Sequence, residues 1–276
     1  MIPLVSIIIT CYNDVQYVEQ AIDSAINQEY PNKEIIVVND GSNEETTALL
    51  KSIEYKISNL ILQQNLGQSV ARNNGIRVSS GEYILILDSD DFFESTFCDK
   101  ALKYFQLEEN VKIVSCFANL LYSDGTVKQH YPKGGNISHF MFANQALGTS
   151  MFKKQDWLDC NGYDESMRKG FEDWEFFIRI LKNGGLAKII EEPLYNYRKR
   201  DNTTTAKANQ NKYEILAYIY IKHRELYINH FDDFVHYITF KFKELEFQKI
   251  KQTEKIEYRL GLNLLKPLRF FKNIFK

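Results

Sequence analysis

Only four cysteines occur in the 276 residues, Cys11, Cys98, Cys116 and Cys160, and no two form a C-x-x-C pair. The histidines likewise lack metal-ligand spacing, so the pattern argues against a zinc site and against a disulfide framework. No stretch approaches the ~20 consecutive apolar residues of a membrane span. The opening run MIPLVSIIIT is short and lacks the basic flank of a secretory signal, which leads to the expectation of a cytoplasmic protein with reduced thiols. A basic excess is missing too. The formal net charge of −2 argues against a dedicated nucleic-acid binder. No G-x-G-x-x-G follows the first apolar run, which argues against a dinucleotide-dependent oxidoreductase. There is no low-complexity tract and no internal repeat.

What the chain does have is an alternation. Residues 4–9 form a nearly continuous apolar run rich in β-branched side chains, the mark of a strand buried on both faces. Asn13 and Asp14 follow as helix-capping candidates, and Val18, Ala21, Ile22, Ala25 and Ile26 then recur at helical spacing. Strands are expected at 34–38, 60–63 and 83–87, with helices at 44–53 and 69–78 between them. This succession predicts an α/β fold with an open, mostly parallel sheet. Farther on, residues 111–123 read as a strand ending in a hairpin turn at 123–126, residues 131–143 as an irregular loop, and 172–183 as a helix stopped by Gly184-Gly185. A strand at 186–190 and an extended piece through Tyr197 complete the pattern. Beyond about Thr205 the chain becomes helical and rich in Tyr, Phe and Lys, which places a boundary there: a catalytic domain at 1–204, with halves at about 1–110 and 111–204, and a helical region at 205–276.

In open α/β sheets, ligands bind beyond the carboxyl ends of the strands. The residues there are Thr10-Cys11-Tyr12-Asn13, Asn39-Asp40-Gly41-Ser42 and Asp88-Ser89-Asp90-Asp91. Three carboxylates within four residues repel unless a cation or strong donors compensate them. Hard divalent cations such as Mg and Mn take oxygen ligands and bridge carboxylates to substrate phosphates. The plainer reading is a solvated acidic turn capping the next helix. A second acidic pair, Glu172-Asp173, opens a helix, where acids also suit the helix dipole.

The segments VSIIITCYN, EIIVVNDGSNEET, NLGQSVARNNGI, GEYILILDSDD, NGYDES and GFEDWEFFIRI occur in this order, and together they resemble the family 2 glycosyltransferases over roughly the first 200 residues. That resemblance implies an inverting enzyme of the GT-A fold, a sheet flanked by helices with a C-terminal helical extension here. It implies a nucleotide-binding set of Thr10, Tyr12, Asn13, Asp40, Asp88 and Ser89, with the ring of Tyr12 near the base and Asp40 on the pyrimidine edge. It makes Asp90 the ligand of a Mn or Mg ion facing the diphosphate and Asp173 the general base, with Glu172 positioning acceptor or donor. Arg72 either faces the nucleotide or pairs with a carboxylate of the sheet edge. Two departures stand out. Asn39 replaces an acid that the family often carries, and Arg200 stands where many members have a histidine after the Y-R pair. A guanidinium cannot ligate a metal but can hold a diphosphate, so Arg198 and Arg200 become diphosphate clamps, the alternative being a solvated basic loop.

The implied activity is transfer of a sugar, hexosyl or N-acetylhexosaminyl, from a nucleotide-diphosphate donor of the UDP type to a hydroxyl of a saccharide or polyprenyl-linked acceptor, with acceptor contacts expected from residues 131–150 and from the segment around Asn161 to Asp164. Residues 255–276 carry six Lys or Arg and one Glu, a net +5, with an apolar stripe broken by Pro267. Such a tail suits the inner face of an anionic membrane; the alternatives are packing on the catalytic domain or a homodimer contact. Two rival functions are a sugar nucleotidyltransferase, which would show a Gly-rich loop with Arg and Lys after the first strand where TCYNDVQY stands, and a non-catalytic sugar-nucleotide-binding subunit.

Overall fold

Strand β1 (Val5–Cys11) is buried along nearly its whole length. Continuous apolar side chains leave no face for water, so the strand lies mid-sheet with helices on both sides. In the computed structural model, which describes residues 2–200, 208–256, 258, 260, 261 and 265, it is followed by α1 (Val18–Ile26), β2 (Lys33–Asp40), α2 (Glu44–Ser52), β3 (Asn59–Gln63), α3 (Gln68–Val78) and β4 (Tyr83–Asp88). Strands β3, β2, β1 and β4 lie side by side in that order, all parallel. The register sets Thr10 opposite Asp88 and Cys11 opposite Asn39, so the polar strand ends form one edge.

The buried face of α1, with Val18, Ala21, Ile22 and Ala25 at helical spacing, covers one side of this sheet. Each such fully buried aliphatic side chain contributes roughly 1.5–3 kcal/mol. On α3, a Cβ at Gly75 would fall 2.5 Å from Ile8 Cγ2 and 3.1 Å from Val38 Cγ2. The glycine costs helix stability of about 0.5–1 kcal/mol, but it lets α3 lie close on the strands, one turn away from Arg72.

The second half changes character. After β5 (Phe92–Phe93) come α4 (Phe97–Leu107), β6 (Val111–Tyr122), β7 (Val127–His130), α5 (Ile137–Phe140), β8 (Met151–Lys153), α6 (Lys154–Asp159), α7 (Glu172–Leu181) and β9 (Leu186–Lys199). The sheet continues β4-β8-β6-β9-β5, with β7 on β6. Here β8 is antiparallel to both neighbours, as are β5 to β9 and β7 to β6, while β6 and β9 run parallel. The parallel arrangement expected from the sequence therefore holds for the first four strands, and the remainder is mixed. The pieces read separately at 186–190 and up to Tyr197 are one strand, β9, and the loop expected at 131–143 contains the short α5.

Asn13 and Asp14 do not cap α1 with their side chains; the helix begins after Tyr17 without a side-chain cap. Instead Asn13 takes a left-handed backbone, φ 60°, and its Oδ1 accepts from the backbone N–H of Asn43 at 2.7 Å. Asn43 in turn caps α2 through Thr46 N–H. A short polar residue after a strand suits either use, and here the neighbouring loop claims it.

The compact unit that carries the sheet spans Met1–Lys222 and includes α8 (Lys212–Lys222); a second unit, His223–Lys276, contains α9 (Arg224–Asn229) and α10 (Phe231–Thr253). The boundary read at 204/205 and most of the basic tail at 255–276 lie outside the described residues. Among the described residues no helix is long and apolar enough to cross a membrane.

Candidate active site

The edge formed by β1, β2 and β4 collects polar side chains that hold one another. Thr10 accepts at its carbonyl from Ser89 N–H (3.3 Å), and Ser89 Oγ donates to Asp14 Oδ2 (2.6 Å). Tyr12 is half exposed, its ring on the surface beside these loops. Asp40 is buried, and its carboxylate accepts from Gln63 Nε2 (2.8 Å) and from the backbone N–H groups of Leu66 (2.8 Å) and Gly67 (2.9 Å). A carboxylate has about four acceptor positions, so three bonds to the chain leave little for a ligand. Asn39, at the departure from the family acid, folds the turn: Oδ1 accepts from Ser42 N–H and Nδ2 donates to Thr47 Oγ1. Gly41 between them has φ 73°, and a Cβ there would lie 2.5 Å from Asn65 N, so only glycine fits.

The three acids at the end of β4 have different partners. Asp88 accepts from Arg72 at 3.0 Å. Asp90 pairs with Arg200, and its carboxyl is pushed up to about 6 by burial and by Asp88, against the pull of Arg200. Asp91 is fully buried, accepts from Tyr195 Oη (2.6 Å) and Arg198 N–H (2.7 Å), and is raised to about 8 by burial and by its two acidic neighbours. Asp91 therefore fastens β9 to the acidic turn.

Strand β9 delivers both arginines to the same place. Arg198 donates to the Asp90 carbonyl and to Gln20 Oε1 (2.5 Å), and its guanidinium lies over the rings of Tyr17 (4.8 Å) and Phe92 (5.1 Å). Arg200 bridges Asp90 and Asp14, the latter at 2.8 Å, and also lies over Tyr17 (5.2 Å).

The second acidic pair meets the first through α3. Arg72 is buried and donates to Asp88 and to Glu172 Oε1 (2.5 Å), so of its two readings this structure takes the carboxylate pairing. Glu172 is buried with it, whereas Asp173 accepts from Asn144 Nδ2 at 2.9 Å. Burial first, then the charge of Glu172, raises Asp173 to about 7, with Arg72 opposing. The pair follows Phe171, whose φ of 61° is rare for an aromatic residue and costs strain. A Cβ on Gly148 would stand 2.7 Å from Asp173 Oδ2, so that glycine keeps the carboxylate's surroundings open.

Among the described residues no three His, Cys, Asp or Glu side chains form a ready metal cage. The donor set nevertheless fits Mg or Mn of the kind held by one or two carboxylates together with substrate phosphates. Asp88 and Asp90 are hard oxygen donors, and the raised Asp90 carboxyl reports a charge that a cation would relieve. The cation beside it in this structure is the Arg200 guanidinium.

Sequence reasoning passed over Asp14 as a site residue, whereas Asn144 and Gly148 lie within 131–150, where it expected contacts to the acceptor and not to Asp173. It expected acceptor contacts around 161–164 as well, and there the polar groups are engaged within the protein. Buried Asn73 holds Tyr163 through both backbone groups, and Asp164 is engaged by Lys222 (2.5 Å), Tyr218 (2.7 Å) and Ser166.

Comparison with known proteins bears on the family and the fold. The model of glycosyl transferase family 2 matches residues 6–163, more than half of the chain, and one described as the N-terminal domain of galactosyltransferase matches 136–201. An uncharacterized glycosyltransferase of Methanocaldococcus jannaschii is 28% identical over 76% of this chain and 77% of its own. The putative teichuronic acid biosynthesis glycosyltransferase TuaG of Bacillus subtilis is 28% identical over 83% and 90%. Among solved structures, S. aureus TarS 1-349 in complex with UDP-GlcNAc superimposes with a TM-score of 0.65 at 19% identity, covering 79% of this chain. This chain spans 65% of that one, under two thirds, and at such identity the likeness speaks for the GT-A fold alone.

Proposed function

The chain belongs to glycosyl transferase family 2, and from that premise we propose that it moves a hexosyl or N-acetylhexosaminyl group, with inversion, from a UDP-type donor to a hydroxyl of a saccharide or lipid-linked saccharide. The observation that carries the reading is the bridge from Asp88 through Arg72 to Glu172, which ties the donor edge to the Glu172-Asp173 pair. Two relatives from Bacillus subtilis, one putatively of teichuronic acid biosynthesis and one of minor teichoic acid biosynthesis, support a cell-surface polysaccharide as product. The TarS complex with UDP-GlcNAc supports that nucleotide sugar as the first donor to test.

In this reading Tyr12 stacks on the base, while Thr10, Asn13 and Ser89 border the nucleoside and Asp40 holds the 64–67 loop under it. The acceptor hydroxyl attacks the anomeric carbon as the bond to the diphosphate oxygen breaks. Its proton passes to Asp173, whose carboxyl near 7 suits a general base at neutral pH. Asn144 orients that carboxylate. The electron pair leaves with the nucleoside diphosphate, against which Arg198 and Arg200 place positive charge. A Mn or Mg ion on Asp90 with Asp88 would add Lewis-acid stabilisation of the same leaving group. The basic tail at 255–276, net +5, suits a peripheral position at the inner face of the cytoplasmic membrane, where a polyprenyl-linked acceptor would be met.

The test is release of nucleoside diphosphate from a panel of nucleotide sugars with Mn, using Asp90→Ala and chelation as controls. Release from one donor, lost in both controls, supports the reading. No release from any donor, together with no donor binding by calorimetry, sinks it.

A further inference from the structure

Helix α10 (Phe231–Thr253) is 23 residues long and none of its residues is buried. A lone helix of about 35 Å is held in water by packing of one face far more than by propensity, so a long helix with exposed apolar residues calls for a partner. The residues that would meet it follow one rule. Phe231, Val235, Ile238, Phe242, Leu245, Lys249 and Gln252 are spaced alternately four and three apart, and five of the seven are apolar. This is the 3.5-residue repeat of a coiled-coil seam, with Val235, Phe242 and Lys249 at the a positions and Phe231, Ile238, Leu245 and Gln252 at d. Phe242 is 66% and Leu245 56% exposed.

We propose that this seam of α10 pairs with the same seam of a second copy of the chain, in a parallel two-stranded coiled coil. Three observations choose that occupant. A seam with 3.5-residue period fits a helix of equal period and not a flat surface. The flanking charges choose the direction: Lys241 at g faces Glu246 at e of the other copy only when the helices run parallel. In the antiparallel arrangement g faces g and e faces e; the g positions Phe234, Lys241 and Gln248 offer no acid, and the e positions Asp232, Thr239, Glu246 and Thr253 no base. Within one chain Lys241 bonds Glu244 at 2.7 Å, a surface pair that exchanges cheaply. Finally, Lys249 is a single charged a residue, the device that fixes register and strand number. An anionic lipid surface fits less well, because α10 carries four acidic residues against four lysines and has no net attraction to it.

Sedimentation equilibrium of the full chain tests this. The expected species has twice the 32.4 kDa mass of one chain. Leu245→Glu should weaken the dimer about tenfold or more, whereas Phe247→Glu, more exposed still but on the outer face, should leave it unchanged; circular dichroism should show that both variants keep their helix. Leu245→Cys, in a Cys160→Ser background, should form a disulfide-linked dimer on oxidation, and Phe247→Cys should not. A monomer throughout the micromolar range overturns the proposal. So does a dimer that both glutamates disrupt equally, or a monomer that pellets with phosphatidylglycerol vesicles through α10.

Discussion

Arg72 and Glu172 stand 100 residues apart in the chain, yet the guanidinium donates to the carboxylate at 2.5 Å and both side chains are buried. With Asp88 on its other arm, Arg72 is a brace between two acids that would otherwise repel. Losing one member of a buried pair leaves a charge without compensation, at roughly 3–5 kcal/mol. Arg72→Met should therefore lower unfolding stability in urea by about that amount and remove turnover. Replacing both partners, Arg72→Met with Glu172→Leu, should recover much of the stability and none of the activity. A single variant as stable as the parent would remove the brace from the account.

Asp173 gives a pH dependence with two opposite signs. As a base it must be ionised, so kcat/KM should rise with pH through about 7 and level off above. Stability runs the other way. The folded carboxyl titrates near 7 against an ordinary 3.8, so between those values the folded protein holds a proton that the unfolded chain has lost. Stability from this group is present at low pH and falls as pH rises through that window. Asp173→Asn should abolish turnover yet unfold at higher urea than the parent at neutral pH, the gap closing toward pH 4. An ascending limb near 7 that persists in residual Asp173→Asn activity would assign the base elsewhere.

Asn144 and Gly148 act on the same carboxylate from one loop. The amide favours the ionised form, so Asn144→Ala should move the ascending limb to higher pH and leave the donor KM unchanged. Gly148→Ala would put a methyl 2.7 Å from Asp173 Oδ2 and displace it. A misplacement of about 1 Å costs on the order of 10²-fold in rate, so kcat should fall steeply while donor binding by calorimetry stays intact. If both variants instead lose donor affinity, the loop serves the nucleotide.

The first four strands were legible because parallel strands buried on both faces write continuous apolar runs, as in residues 4–9. The acids at the end of β4 and at the start of α7 were legible as chemistry because each cluster is local in sequence. Asp14 was not: its site partners are Ser89 and Arg200, the latter 186 positions away, and next to a helix start it reads as a cap. Asn144 lies in a stretch without periodicity, and nothing local distinguishes it from a loop amide. The antiparallel strand β8 has three residues, too few to show alternation. The coincidence of Arg72 with both acid clusters depends on how deeply α3 sits, which Gly75 sets through a contact visible only in three dimensions.

Arg200 carries the sharpest consequence of a departure from the family. Its guanidinium holds Asp90, the proposed metal ligand, and Asp14 at once. A cation arriving without donor must therefore displace an ion pair, whereas a donor diphosphate offers Arg200 a replacement partner as the ion arrives. The pair is partly exposed, so it is worth about 0.2–1 kcal/mol, roughly a 1.5- to 5-fold handicap on metal binding. Titration calorimetry with Mn and no donor should show Arg200→Ala binding the ion tighter by that factor, and Asp90→Ala not binding it. The same Arg200→Ala variant should bind the nucleotide sugar more weakly, because the diphosphate has lost its clamp. Opposite shifts for metal and donor in one variant are the signature of a side chain shared between the two. Equal metal affinity in the parent and in Arg200→Ala would mean that the Arg200–Asp90 contact does not compete with the ion.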